Sequence, residues 1–188
     1  MIYICSHIKP AYELNYEHTV IDNTKSPLSE DYGHMRGVYY IWKNLELPEE
    51  IGIFQQRRYL EINSIPDDYD CVCSLHKGLP HVSIREQYIH TPHNVLYLDI
   101  LENIIGNDFA YYVRNYPIDY AYMDDMFIFK KNDFISYCEF IFRILKEKDN
   151  KVGSIENKYL SERITSYWIW KNFKKEKIFL ANKFVIEK

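Results

Sequence analysis

The apolar positions of this chain fall into short runs and helical stripes that alternate from one end to the other. Ile2 to Ser6 is an apolar run and reads as a first buried strand, closed by the polar turn Ser6-His7-Ile8-Lys9-Pro10. Val20-Ile21 forms a second short strand, running into Asp22-Asn23-Thr24 and Ser26-Pro27, side chains that hydrogen-bond readily in loops. Ser29-Glu30-Asp31 has the acidic first turn of a helix start. Met35, Val38, Tyr39, Ile41, Trp42 and Leu45 recur at helical spacing, which predicts an amphipathic helix ending near Asn44, ahead of Pro48. Ile51 to Gln55 reads as a strand. Asn63 to Asp70 reads as a loop, Tyr69 to Leu75 as a strand with Cys71, Cys73 and Leu75 on one side, and His76 to His81 as another loop.

Ser83-Ile84-Arg85-Glu86 has the pattern of a capping box, and Pro92, between His90 and His93, breaks the helix it opens. A further helix runs from Asn94 to about Ile105 and stops at Gly106-Asn107. Phe109 to Asn115 is apolar-rich and fits either periodicity. Met126 to Phe129 is a strand, followed by Lys130-Lys131. Asn132-Asp133 then caps a helix carrying Phe134, Tyr137, Cys138, Ile141, Ile144 and Leu145 on one face. Asp149 to Lys158 reads as a polar loop. Tyr159 to Asn172 reads as the last helix, with Ser161-Glu162-Arg163 in its first turn. The lysine-rich element 171–188 fits a terminal strand or a basic arm. This alternation predicts one α/β domain over residues 1–188, with a mostly parallel central sheet flanked by helices.

A chain of 188 residues suits one such domain, and 47% apolar and 27% charged residues are ordinary for a globular protein. The 18 tyrosines are not ordinary. Tyrosine suits sugars, because its ring stacks while its hydroxyl bonds. A nucleotide bias that raises Tyr, Ile, Lys and Asn together gives the same enrichment, so composition carries little functional weight. The net charge of −4 argues against nucleic acid as a partner. Cys5, Cys71, Cys73 and Cys138 are too few and scattered for a disulfide scaffold; buried thiols fit Cys71 and Cys73 better than a metal site. No leading signal pattern and no apolar run near the ~20 residues of a membrane span are visible, so a reducing cytoplasm is expected.

Neither a G-x-x-x-x-G-K nor a G-x-G-x-x-G phosphate loop occurs, no G-x-S-x-G elbow is present, and the seven histidines form no metal signature. Ordinary nucleotide-binding and hydrolase classes therefore recede. Three constellations remain. Arg57-Arg58 follow the strand Ile51 to Gln55, and guanidinium groups there suit a phosphate or carboxylate, the competing reading being one core-edge ion pair and one solvated arginine. Asp124-Asp125 precede a strand and suit sugar hydroxyls or a divalent cation, or simply a capped turn. Glu162-Arg163 suit a helix start, or Glu162 a general base. Asp22 and Asn23 fit turn chemistry and ligand contact equally.

Together the motifs Ile2 to His7, Tyr39-Tyr40-Ile41-Trp42-Lys43-Asn44, Gly52-Ile53-Phe54-Gln55-Gln56-Arg57-Arg58-Tyr59-Leu60, Met126-Phe127-Ile128-Phe129 and Ser161-Glu162-Arg163 resemble one bacterial family. It is domain of unknown function four-four-two-two, usually labelled capsular polysaccharide synthesis protein or glycosyltransferase. The resemblance runs from residue 2 to about 172 and implies a GT-A-like, Rossmann-type glycosyltransferase. Its implied partners are a nucleotide-sugar donor, with galactofuranose or another hexose as the sugar, and a surface-polysaccharide or lipid-linked glycan acceptor. It departs from the family pattern at Gln55, Gln56 and Asp125, where the family has histidine, tyrosine and asparagine.

On this resemblance Glu162 and Asp125 are the expected catalytic residues. Arg57, Arg58, Gln55, Gln56, Asp22, Asn23, Ser6, His7, Asp124 and Arg163 are the expected substrate-binding ones. The strand end that usually carries a metal-binding D-x-D is here Gln55-Gln56-Arg57-Arg58, so no cofactor is expected to be required, manganese or magnesium at Asp124-Asp125 being the alternative. A catalytically silent sugar-binding or regulatory relative is the competing function. A lysine-rich tail touching the inner face of a membrane is a further expectation.

Overall fold

Every position of β1 (Ile2–Ser6) is buried, which follows from its place between two parallel neighbours, β2 (His18–Asp22) and β3 (Glu50–Gln55). A computed structural model describes residues 1–6, 14, 17–62, 65–75, 82–122 and 124–186. The turn expected from His7 to Pro10 and the loop expected from His76 to His81 lie outside the described residues. Beyond β3 the sheet continues through β6 (Phe127–Lys130), β5 (Cys71–Cys73) and β7 (Ile178–Leu180), in the order β2-β1-β3-β6-β5-β7. β6 pairs antiparallel with both β3 and β5, whereas β5 and β7 are parallel. The sheet is thus mixed rather than largely parallel. Strand direction is invisible in a four-residue apolar run buried on both faces, because such a run reads alike either way.

The strands distribute their side chains with period two. Tyr3, Cys5, Ile51, Ile53, Cys71, Cys73, Phe127 and Phe129 face one core, with Met35, Val38 and Ile41 from α1 (Met35–Asn44). Phe134, Tyr137, Ile141 and Leu145 from α5 (Lys131–Val152) and Ile164 and Trp168 from α6 (Asn157–Asn172) complete it. Ile2, Ile4, Phe54, Val72 and Ile128 face the other way, into a smaller cluster whose described members come from strands and loops. α2 (Ile84–Ile89), opened by the Ser83–Glu86 capping box, and α3 (Val95–Ile105), capped by Asn94, follow the sequence expectation. The ambiguous segment is a helix, α4 (Asn107–Asn115), burying Phe109, Tyr112 and Val113. All four cysteines are free and buried.

Two boundaries differ from expectation, and both matter for the site. α5 continues to Val152 through residues that read as a loop. The cause is tertiary: the buried Lys148 ammonium donates to the carbonyls of Gly153 (2.7 Å) and Ile155 (2.5 Å) and to Asn157 Oδ1 (2.9 Å). Asp149 accepts from Tyr32 and Asn157. These bonds satisfy the α5 C-terminus and start α6 at Asn157, so Ser161-Glu162-Arg163 sit in its second turn rather than its first. The tail also forms strand, not an arm: β7 extends the sheet, and β8 (Lys183–Val185) pairs with β4 (Arg58–Leu60).

α1 lies unusually close to β1. A Cβ on Gly37 would stand 2.4 Å from Asn23 Oδ1 and 2.6 Å from Cys5 Sγ, distances no side chain tolerates. Gly37→Ala is expected to cost about 1–3 kcal/mol through overpacking, read as a lower urea midpoint with an unchanged slope. A midpoint equal to that of the wild type would show that α1 is free to shift off β1.

Candidate functional site

The carboxyl ends of β1, β2 and β3 open together, because the three strands are parallel and adjacent. Open α/β sheets bind ligands in the crevice at such ends. Here the crevice is a cleft of about 580 Å³. Ser6 and Asn23 form its floor at the ends of β1 and β2, both buried. Gln55, Gln56, Arg57 and Arg58 form one wall. His34 and Arg36, at the entry to α1, and Lys158, Tyr159 and Glu162, on α6, form the others.

The two arginines do not prolong β3. β3 ends at Gln55, Gln56-Arg57 make a two-residue turn, and Arg58 begins β4, antiparallel to β3. Neither turn residue has a left-handed backbone, so this is not one of the turn types whose twist matches paired strands. The hairpin accordingly splays after a single pair, Gln55 with Arg58, and β4 pairs instead with β8. This opening sets Arg57 at an exposed tip, where it makes no ion pair among the described residues. Arg58 stays anchored: its Nη1 lies 2.8 Å from Asp124 Oδ1 and 4.0 Å from Glu162 Oε1.

Behind the wall lie Asp124 and Asp125, each with a left-handed backbone (φ 85° and 49°). Aspartate tolerates that region better than most residues, and such strain persists only where surroundings enforce it. The surroundings are charged. The second oxygen of Asp124 pairs with Lys183 of β8, and its backbone carbonyl accepts from the Gln55 amide. Asp125 is fully buried, and its Oδ2 accepts from His34 Nε2 (3.0 Å) and Ser161 Oγ (2.6 Å). Asp125 Oδ1 is buried without a hydrogen-bond partner among the described residues.

Glu162 faces the cleft with 18% of its side chain exposed and holds Arg163 Nη1 at 2.8 Å. Burial pushes its carboxyl up to about 7, with Asp125 and Asp124 adding to the rise and Arg163 opposing it. A carboxyl that exchanges its proton near neutrality is the property asked of a general base at physiological pH. Arg163 itself is buried, donating to Gln87 Oε1 (2.6 Å) and the Tyr159 carbonyl (2.9 Å).

Of the residues expected from sequence, the cleft brings together Ser6, Asn23, Gln55, Gln56, Arg57, Arg58 and Glu162. Asp125 is not among the residues that line it: it is wholly buried, with Oδ2 bonded to His34 Nε2 and Ser161 Oγ. Asp124 and Arg163 are likewise buried and not among the residues that line the cleft, the first bonded to Arg58 and the second to Glu162. Asp22 is exposed and occupied with its own turn, accepting from Thr24 N (2.9 Å) and Oγ1 (2.7 Å), bonds that lower its carboxyl. His7 lies outside the described residues. His34, Arg36, Lys158 and Lys183 were not singled out by sequence. Only Gly33-His34 carried a signal, a glycine with left-handed φ (54°) at the mouth of a helix.

Both oxygens of Asp124 are committed to cations and Asp125 Oδ2 to His34 and Ser161. Among the described residues no group of three potential ligands converges on a metal position. Nor is any described helix long and apolar enough to cross a membrane.

The fold is one found among glycosyltransferases. Over 100% of its length the chain superimposes on the WbbM bifunctional glycosyltransferase apo structure with a TM-score of 0.72 at 15% identity, spanning 45% of that chain. Residues 60–154 match the family described as Domain of unknown function (DUF4422), and the chain belongs to that family. No curated protein matches the chain.

Proposed function

We propose that residues 1–188 act as one glycosyltransferase unit, moving a sugar from a nucleotide-diphosphate donor to a hydroxyl of a glycan acceptor. The observation that carries this is the pairing, across one cleft at the parallel strand ends, of the Arg57–Arg58 hairpin with a carboxyl poised near 7 at Glu162. Arg36 and Lys158 line the same cleft, so cations outnumber the carboxylates Glu30 and Glu162 there. That balance suits a diphosphate.

In this reading Ser6 and Asn23 meet the nucleoside at the strand ends, and Gln55 and Gln56 border the diphosphate. Arg57 and Arg58 stabilise the charge that develops on the departing diphosphate, a fixed electrostatic contribution. Glu162 takes the acceptor's hydroxyl proton as its oxygen bonds to the anomeric carbon. The fold and the family support a transfer of this class. Galactofuranose or another hexose as donor sugar, and a surface polysaccharide or lipid-linked glycan as acceptor, at the inner face of the membrane, are the specific forms we propose.

Calorimetry with a panel of nucleotide sugars, followed by a transfer assay with the one that binds, tests the reading. Glycan binding without any nucleotide-sugar binding would overturn it in favour of a silent relative. Because protein cations occupy the Asp124 carboxylate, transfer is expected to continue in excess EDTA at the wild-type rate. Loss of activity in chelator, restored by manganese, would overturn the arginine assignment.

A further inference from the structure

The mechanism above leaves one well-built group unused. His34 lines the cleft with its side chain 14% exposed, and its Nε2 lies 3.0 Å from a carboxylate that is 0% exposed. A buried ionised carboxylate is costly unless a cation and hydrogen bonds compensate it. Asp125 has one ion-pair partner among the described residues, and it is His34. Ser161 Oγ supplies a second bond to the same oxygen, and Oδ1 has none among the described residues. Asp125 therefore holds the imidazole in place through its Nε2–H. The other ring nitrogen, Nδ1, has no partner among the described residues.

We infer that His34 is a second catalytic residue of the proposed transfer, donating from Nδ1 to the diphosphate as it leaves. The inference rests on the glycosyltransferase reading and extends it. The step balances. The acceptor hydroxyl gives its proton to Glu162, and its oxygen forms the bond to the anomeric carbon. The bond from that carbon to the diphosphate oxygen breaks, the electron pair stays on that oxygen, and the proton comes from His34 Nδ1. Exchange with solvent then removes the proton from Glu162 and returns one to His34. Asp125 is the positioning residue in this scheme, and Ser161 keeps its carboxylate turned toward the ring.

The charged groups around His34 are the carboxylates of Asp125, Glu30 and Glu162 and the cations Arg36, Arg57, Arg58 and Lys158 of the same cleft. Transfer needs Glu162 ionised and His34 protonated, so the pH profile of kcat/KM is expected to be bell-shaped. Its rising limb belongs to Glu162 and its falling limb to His34.

The test compares wild type, His34→Gln, His34→Ala and Asp125→Asn, with donor binding by calorimetry, thermal melting and transfer rate against pH. His34→Gln keeps a hydrogen bond to Asp125 but carries no proton to give. It is expected to lower kcat by about 100-fold, leave KM near the wild-type value, and abolish the falling limb only. Added imidazole is expected to restore part of the rate of His34→Ala. Asp125→Asn is expected to lower kcat with donor binding retained, because the ring loses the carboxylate that fixes its position. A His34→Gln enzyme that melts and binds donor as wild type does, yet keeps both limbs or loses less than about threefold in kcat, refutes this inference and leaves the glycosyltransferase reading standing. No transfer by the wild-type chain with any bound nucleotide sugar overturns both.

Discussion

Glu162→Gln is expected to lower kcat by about 10²–10⁴-fold, the range of a positioned general base, and to remove the rising limb near pH 7 from the rate profile. KM for the donor is expected to change little, since the amide keeps the side-chain shape and the diphosphate rests on the arginines. The same substitution has an opposite effect on stability. An acid whose folded-state value is raised from 4.5 to about 7 favours the folded state fully below 4.5 and loses that contribution as pH rises through 7. Glutamine does not titrate. The variant is therefore expected to gain stability relative to wild type between pH 4.5 and pH 8, by up to about 3 kcal/mol, read as a higher melting temperature at pH 8 and none at pH 4. A rate profile whose acid limb survives the substitution would remove Glu162 from the base role. Melting curves that differ equally at both pH values would show that its carboxyl is not raised.

The arginine hairpin separates binding from architecture. Arg57→Ala is expected to weaken nucleotide-sugar binding by about 10- to 100-fold, the loss of one or two charge-assisted hydrogen bonds, with the melting temperature unchanged, because the side chain is exposed and makes no ion pair among the described residues. Arg58→Ala is expected to do both. It loses binding by a similar factor and also leaves the Asp124 carboxylate with Lys183 alone. Breaking a fully buried pair costs several kcal/mol. With 37% of the Arg58 side chain exposed, about 1–2 kcal/mol is the screened expectation. Arg58→Lys separates the two effects: it keeps the charge at Asp124 but loses the planar fork that grips a phosphate. Equal Kd values for wild type and both alanine variants would dismiss the hairpin as a phosphate site.

Much of this architecture was legible before any coordinates. The buried strand Ile2 to Ser6, the α1 stripe from Met35 to Asn44, the Ser83–Glu86 capping box and the α3 stop at Gly106 are local patterns of hydropathy and capping. They hold because burial acts on each of these segments the same way wherever it lies in the fold. Arg57, Arg58 and Glu162 were also visible, the first two as a guanidinium pair after an apolar run, all three through the family motifs. What they would touch was not visible. Asp125 looked like a reacting carboxylate because sequence displays a residue's chemistry and not its depth. Its full burial behind His34 comes from the packing of α6 and the approach to β6.

The apolar runs, helical stripes and caps of this chain thus determine its elements, their order and its α/β class, since each rests on interactions between residues a few positions apart. Three features needed the tertiary structure. The reversed direction of β6 follows from which strands it meets, not from its own four residues. The extension of α5 to Val152 follows from Lys148 finding carbonyls beyond the helix end. The site itself joins His34 to Asp125 across 91 positions, Arg58 to Asp124 across 66 and Lys183 to Asp124 across 59. Contacts so distant in sequence leave no periodic trace in it, and only the assembled sheet and the helices packed on it bring those charges within bonding reach.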